Sequence, residues 1–253
     1  YAFLDERLLG TPSIAVGEAS DMTVKMATLA RTTILSAISI CQSYDVKVAD
    51  EILKHEDELD LYEDKLGSYL LQLGSKNLTP GDSQTVNMLL HCISDFERIS
   101  DHAVNISECA KEMHTKGLSF SKKAIEEIHI FNGALNEILD TAIMAFEHGD
   151  IEQAKSVEPL EEVIDNLRTE IRNRHVKRLR KGKCTIEMGF VLTDLITNYE
   201  RVADHCSNIA VYLIANQEKY NSLKKHEYLD KLHRNGPDYY EKLLAEYSEK
   251  FAL

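Results

Sequence analysis

Tryptophan is absent from this 253-residue chain, glycine (11) and proline (4) are scarce, and aromatic residues amount to only 7%. So few chain-breakers leave little material for the many turns of a sandwich or barrel. Alternating Val/Ile/Thr-rich runs bounded by Gly-Asn or Asp-Gly turns are missing too. Leu, Ala, Glu, Lys and Ile dominate the periodic segments instead, which points to an all-α fold. Positive charge is also in short supply. With 29 basic against 42 acidic residues the net charge is -13, which works against a nucleic-acid groove as the main function. The five cysteines (Cys41, Cys92, Cys109, Cys184, Cys206) are odd in number, contain no Cys-x-x-Cys pair and mostly sit in helical stripes. They read as reduced, small apolar residues of a cytosolic protein. No unbroken apolar run of about 18 residues occurs, so no membrane-spanning segment is expected. The opening residues Tyr1 to Arg7 lack a signal-peptide plan, and the chain is expected to begin mid-protein.

What the chain has is a duplication. Asp95-Phe96-Glu97-Arg98-Ile99-Ser100-Asp101-His102-Ala103-Val104-Asn105-Ile106 returns as Asn198-Tyr199-Glu200-Arg201-Val202-Ala203-Asp204-His205-Cys206-Ser207-Asn208-Ile209, identical at six of twelve positions. Each copy sets a Glu and an Asp four residues apart, one turn apart on one helical face. In the first copy Leu89, Cys92, Ile93, Phe96, Ile99, Ala103, Ile106 and Ala110 form an apolar stripe, and Glu97 and Asp101 run along its edge. Glu200 and Asp204 run beside a similar stripe. Carboxylates at the edge of a core lose hydration and need a cation, a metal or hydrogen-bond donors to stay ionised. An exposed acidic face, or internal pairing with Arg98 and Arg201, is the plainer alternative.

The duplication extends upstream. Asp45 and Asp150, Ala49 and Ala154, Glu56 and Glu161, and Asp60 and Asp165 all stand 105 residues apart, and Glu97 and Glu200 stand 103 apart. Two three-helix units follow, each too narrow to bury its faces alone and expected to pack on its twin. Residues 1–20 read as a connector, with Leu8 to Ser13 breaking any helix before Asp21 caps the next. The first unit spans 21–117 and the second 118–220; 221–253 form a C-terminal helical tail, interrupted at Asn235-Gly236-Pro237. The first helix is expected from about Met22 to Cys41, Thr79-Pro80 as cap and first turn of the third, and helix five starting or kinking at Pro159.

Within each unit a second Glu-x-x-x-Asp pair precedes the first, Glu56/Asp60 and Glu161/Asp165. Four carboxylates from two antiparallel helices can then converge, and a multivalent, oxygen-loving cation would offset their repulsion. Carboxylate-only ligation suits Mg, Ca, Mn or iron rather than structural zinc.

The pattern apolar-Glu-Arg-apolar-x-Asp-His-x-x-Asn-Ile, twice, each with its preceding Glu-x-x-x-Asp, resembles the PhoU family. The resemblance implies two three-helix bundles with multinuclear sites for divalent or trivalent metals, acting in the regulation of phosphate uptake without chemistry of their own. Carried over by position, Glu56, Asp60, Glu97 and Asp101 would form one metal site and Glu161, Asp165, Glu200 and Asp204 the other. Asn198 stands where the first copy has Asp95, an auxiliary acid, and Pro159 stands where it has Lys54. The opening Phe3 to Pro12 and the tail from Tyr228 to Phe251 resemble the C-terminal cytosolic domain of bacterial sodium/phosphate cotransporters. That implies a place on the cytoplasmic face of the cell membrane and the transmembrane transporter domain of the same polypeptide as partner. A free-standing regulator differs only in what lies upstream of Tyr1, and a homo-oligomer is left open.

Arg98 and Arg201 are expected to neutralise neighbouring acids, Asn105 and Asn208 to support the acids or pack, and His102 and His205 to hydrogen-bond between helices. Arg172, Arg174, Lys177, Arg178, Arg180, Lys181 and Lys183 make a basic run, either a solvated helix end favoured by the dipole or a contact for anionic lipid or an acidic partner. A carboxylate-bridged metalloenzyme is the competing class. Ferritin-like sites need two Glu-x-x-His pairs and this chain has one, Glu126/His129. No Gly-rich phosphate loop or nucleophile–base set accompanies it.

Overall fold

The computed structural model describes residues 4–217, 225–235 and 238–253. Its helices begin where short polar side chains can take up orphan backbone N–H groups. Asp45 accepts from the Lys47 amide at 2.9 Å, Thr79 from Asp82 at 3.1 Å, Ser121 from Ala124 at 3.2 Å, Asp150 from Gln153 at 3.2 Å and Thr185 from Met188 at 3.2 Å. Three of them end where the chain turns left-handed, at Gly117 (φ 63°), Gly149 (φ 62°) and Gly182 (φ 67°), whereas the first two end at Ser43 and Ser75 with negative φ. Between these signals run α1 (Pro12–Gln42), α2 (Val46–Gly74), α3 (Pro80–Lys116), α4 (Lys122–His148), α5 (Ile151–Arg180) and α6 (Ile186–Gln217). Two shorter helices follow, α7 (Lys225–Asn235) and α8 (Asp238–Lys250). The fold is all-α, as expected, with no strand among the described residues.

Two expectations about boundaries are corrected. Helix α1 starts at Pro12 rather than near Met22, so much of the supposed connector is helix and Asp21 lies inside it. Thr11-Pro12 is a start, not a break, because proline's missing N–H costs nothing in the first turn. A single 3-10 turn, Glu6–Gly10, precedes it, held to α2 by the Tyr69 hydroxyl donating to the Asp5 carbonyl at 3.1 Å. Pro159 does not start α5, which begins at Ile151 and continues through it, forgoing one backbone bond. Tyr1 to Phe3, residues 218–224 and Gly236-Pro237 fall outside the described residues, and with them parts of the connector and tail expectations.

Helices α1, α2 and α3 pack on one another as the first unit, and α4, α5 and α6 as the second. The units join chiefly along α3 and α6, with α1 against α4 beside them. Contacts pair Asp95 with Asn208, Asn105 with Asn198 and Lys116 with Glu187, so α3 and α6 run antiparallel about a pseudo-twofold axis near His102 and His205. The core is continuous across that seam, from Met26, Leu59 and Phe96 to Phe131, Ile164 and Tyr199. By composition α1 is apolar enough to cross a membrane, contrary to the expectation of no such segment, but its Ala19, Met26, Ala30 and Ile34 are spent on this core. Helix α8 lies along α5, and α7 touches α6, on the outer side of the second unit.

Candidate metal centres and the seam between them

Because α2 and α3 run antiparallel, Glu56 on α2 comes level with Asp101 on α3, and Asp60 with Glu97. One carboxylate oxygen from each of the four lies within 4.8 Å of the others. All four expected ligands of the first unit therefore meet. Burial, followed by hydrogen bonds and repulsion from Asp60 and Asp101, pushes Glu97 up to about 9, so without a counter-charge it holds a proton at neutral pH. Burial and the same neighbours raise Glu56. Glu63, one turn beyond Asp60 and not singled out by the sequence, is raised by burial and by Asp60 and Asp101, with Arg98 acting the other way. Beside these acids a groove of about 760 Å³ runs past Asp57, Glu63, Asp64 and Gly67.

The second unit repeats the arrangement incompletely. Glu161, Glu200 and Asp204 come within 4.8 Å of one another, but the expected fourth ligand, Asp165, does not join them. Arg168 explains the difference. It occupies the position of Glu63 one repeat earlier, and its Nε lies 3.9 Å from Asp165 Oδ1. Asp165 is exposed and Arg168 half-buried, close enough to the cluster for Arg168 to oppose the rise of Glu200. Burial, then repulsion from Glu158 and Asp204, pushes Glu161 up to about 10. Burial and Asp204 bring Glu200 up to about 7, with Arg168 opposing them. Sequence reasoning also passed over Glu158 and Glu162. Buried Glu158 accepts from the Ser207 hydroxyl at 2.6 Å and faces His233 of α7 at 3.3 Å, and Tyr240 of α8 donates to Glu162. The second cluster is thus flanked by the C-terminal helices, and the acid-dense stretch Glu158-Pro159-Leu160-Glu161-Glu162 is the signal that marks these acids.

Asp95, Asn105 and Asn208 hydrogen-bond across the boundary between the units. They belong to the α3–α6 seam. Asp95 accepts from His205 Nδ1 at 2.9 Å and from Asn208 Nδ2 at 2.9 Å. Its pseudo-twofold mate Asn198 accepts from His102 Nδ1 at 3.0 Å and from Asn105 Nδ2 at 3.1 Å, and is oriented by donating to the Asp194 carbonyl at 2.7 Å. Between these sets the two Nε2 atoms face each other at 3.3 Å. That contact is a hydrogen bond when one ring carries a second proton; burial disfavours the charge on His102. The histidines are therefore interhelical hydrogen-bonding residues, as the spacing suggests. Asp95, two residues before Glu97, points about 200° away from it, which is why it reaches the neighbouring helix rather than the acid cluster. Arg98 and Arg201 are exposed and make no ion pair among the described residues. Their influence on Glu63 and His102 is through space alone.

The basic run divides. Arg178 reaches back to buried Glu127 of α4 at 2.7 Å, and Arg174 lies 3.7 Å from the same carboxylate while also pairing with Glu170 at 2.9 Å. Those two are structural. Arg172, Lys177, Arg180, Lys181 and Lys183 are exposed.

For a metal the donor set is suitable: only carboxylate oxygens, a hard ligand field that fits Mg, Ca, Mn or iron. Proton-holding carboxylates crowded within 4.8 Å are groups that a bound cation would relieve.

Comparison with known proteins agrees with this architecture. The family model described as PhoU domain matches residues 23–110 and 132–213, once per unit. The chain is 28% identical over 126 residues to the phosphate-specific transport system accessory protein PhoU homolog 1 of Thermotoga maritima, covering 50% of this chain and 53% of that protein. It is 23% identical over 129 residues to the Deinococcus radiodurans PhoU homolog, covering 51% and 59%. These matches span just over half the length of either relative. In fold it is similar to PhoU from Pseudomonas aeruginosa (TM-score 0.75, 18% identity, 80% of this chain and 97% of that one). It is also similar to the phosphate transport system regulatory protein PhoU from Streptococcus pneumoniae (TM-score 0.74, 19% identity, 82% and 97%).

Proposed function

Since the chain belongs to the PhoU domain family, we propose that it is a non-enzymatic, cation-binding regulator of phosphate uptake, working on the cytoplasmic face of the cell membrane. Glu56, Asp60, Glu97 and Asp101 hold a hard cation in the first unit, with Glu63 adjoining. Glu161, Glu200 and Asp204 hold one in the second. A bound cation supplies positive charge that lets these acids ionise together. The chain's own contribution is to fix their geometry on two antiparallel helices and to keep water thin around Glu97 and Glu161. The observation that carries this is the first cluster itself, four acids within 4.8 Å with Glu97 pushed up to about 9 and Arg98 turned outward.

The finer assignment is to the cytosolic domain of a sodium/phosphate cotransporter, with the transporter's membrane part as partner. It is supported by the likeness of Phe3 to Pro12 and of the tail from Tyr228 to those proteins. The names of the relatives, accessory proteins of phosphate-specific transport, are equally consistent with a free-standing regulator, and hydrophobic spans encoded upstream in the full gene would decide for the transporter. The metal assignment is tested by elemental analysis of protein purified without chelator, beside Asp101→Ala combined with Asp204→Ala. Strong loss of metal in the variant, at unchanged helical content, is expected; equal metal in both overturns it.

A further inference from the structure

The duplication supplies an internal control for the rest of the surface, because each unit ends in the same kind of helical hairpin. In the first unit the hairpin joins α2 to α3, and in the second it joins α5 to α6; the antiparallel seam puts them at opposite ends of the molecule. Where the first hairpin has Gly67, Gln72 and Ser75, the second has Arg172, Lys177 and Arg180. Where the first has Ser83 and Asn87 in the opening turns of α3, the second has Ile186 and Phe190 in those of α6.

These replacements are exposed. Phe190 is 70% and Ile186 66% accessible, and with Val176 and Arg172 they line one shallow cleft between the helices. Three of the acids at this end are engaged, Glu127 by Arg178 and Arg174, Glu170 by Arg174, and Glu187 by Lys116 at 3.1 Å, while Glu126 and Asp194 stand exposed. Arg172, Lys177, Arg180, Lys181 and Lys183 make no ion pair among the described residues. In a chain of net charge -13, residues 172–190 hold seven basic side chains and one acidic. Val176 has an exposed counterpart in the first unit, Leu71 at 67%, so it does not set this end apart. A solvated helix end explains the charges but not Phe190 and Ile186, which stand where the first unit has Asn87 and Ser83, turned to water among them. Basic residues flanking exposed apolar ones are the chemistry of attachment to an anionic bilayer surface, where the cations meet headgroups and the apolar side chains enter the acyl boundary.

We propose that the α5–α6 hairpin end of the second unit docks on an anionic lipid surface, with Phe190 and Ile186 entering the interface and Lys177, Arg180, Lys181 and Lys183 on the headgroups. The inference does not depend on the acid clusters, which its variants leave untouched.

The test is co-sedimentation of the full chain with vesicles of phosphatidylcholine containing about one-third phosphatidylglycerol, beside pure phosphatidylcholine. Binding is expected only to the anionic vesicles, and it should fall steeply toward roughly 0.5 M salt, where the screening length drops to a few ångströms. A surface lysine contributes about fivefold in such binding. Lys177→Glu, Arg180→Glu, Lys181→Glu and Lys183→Glu together should therefore lower it by at least ~100-fold, with far-UV helicity and urea midpoint kept. Phe190→Ser alone, with all charges present, should lower it by about tenfold. No binding to anionic vesicles, or binding that the fourfold variant retains, overturns the proposal. So does loss with the charges but none with Phe190→Ser, which would mark contact without insertion. Salt-sensitive self-association of the lipid-free chain, abolished by the same variant, would instead name a second copy's acidic surface as the occupant.

Discussion

Stripping bound cations from this protein should make its stability fall as pH rises from 6.5 to 8.0, a direction opposite to that of most acidic domains. Glu161 sets the sign. Its folded value is pushed up to about 10 against an ordinary 4.5, so across this window it keeps its proton when folded and releases it when unfolded. A carboxyl with a raised folded value contributes stability that is fully present below its unfolded pKa and is lost as pH climbs toward the folded one. Each pH unit inside that interval costs up to about 1.4 kcal/mol, so Glu161 alone accounts for up to about 2 kcal/mol over the window. Glu97, at about 9, acts in the same sense but is half exposed and contributes less. Glu200, at about 7, acts only near the lower edge. Burial lowers His102 and His175, which work in the opposite sense, but only as pH falls below about 6.5, outside the window. Urea unfolding of chelator-treated protein at the two pH values measures the difference. Glu161→Gln should flatten the slope, and so should saturating Mg, Mn or Ca, because a cation holds the carboxylates ionised. Chelated protein as stable at pH 8.0 as at 6.5, or a slope unchanged in Glu161→Gln, would refute the account of crowded, water-poor acids.

Three further outcomes are expected. Asp165→Ala should leave the metal content of the second site unchanged, whereas Glu200→Gln should reduce it, both read by elemental analysis in an Asp101→Ala background that silences the first site. Asp95→Ala should cost about 3 kcal/mol in urea unfolding by removing the carboxylate that His205 donates to across the seam, against roughly 1–2 kcal/mol for Asn198→Ala, which removes a neutral acceptor. Within the basic run, Arg178→Ala should destabilise by about 3 kcal/mol because it leaves buried Glu127 without its closest partner, while Lys181→Ala should stay within about 0.5 kcal/mol.

Much of the helical plan was legible because its punctuation is chemical. Asp45 and Asp150, matched by spacing alone, cap α2 and α5 in equivalent places. Thr79-Pro80 reads correctly as cap and first turn, whereas the same pair at Thr11-Pro12 reads as a break beside Gly10 and Ser13 although it starts α1. The first acid cluster was legible because all four ligands obey one periodicity on two adjoining helices. Asp165 obeys it too and still stays outside, because its fate is decided by a basic neighbour whose importance shows only when the repeats are compared side by side. The seam was harder. Asp95 and its partners lie more than a hundred residues apart, and nothing local says that a helix face will meet its own copy in antiparallel register. Glu127 was hidden for a similar reason: beside Glu126 it looks like one of a pair of surface acids, and only the return of α5 across α4 buries it.

Among the many positions where the halves differ, a few bear directly on the acid clusters and the seam. Glu63 has become Arg168, which removes one carboxylate from the second centre, sets a cation beside Glu200 and holds Asp165 away. Asp95 has become Asn198, so the seam carries one carboxylate rather than two across its histidine pair, and like charges do not face each other there. Glu158 and Glu162 of the second unit are engaged by Ser207, His233 and Tyr240, while the first centre opens onto a groove lined by further acids. The first centre therefore has the greater negative charge and the freer access, and the second is partly neutralised and overlaid. Coulombic attraction for a multivalent ion scales with that charge, so the first centre should fill at lower cation concentration and exchange faster. The two acid clusters thus differ in kind, one high in charge and open, the other lower in charge and covered, on either side of a single continuous core.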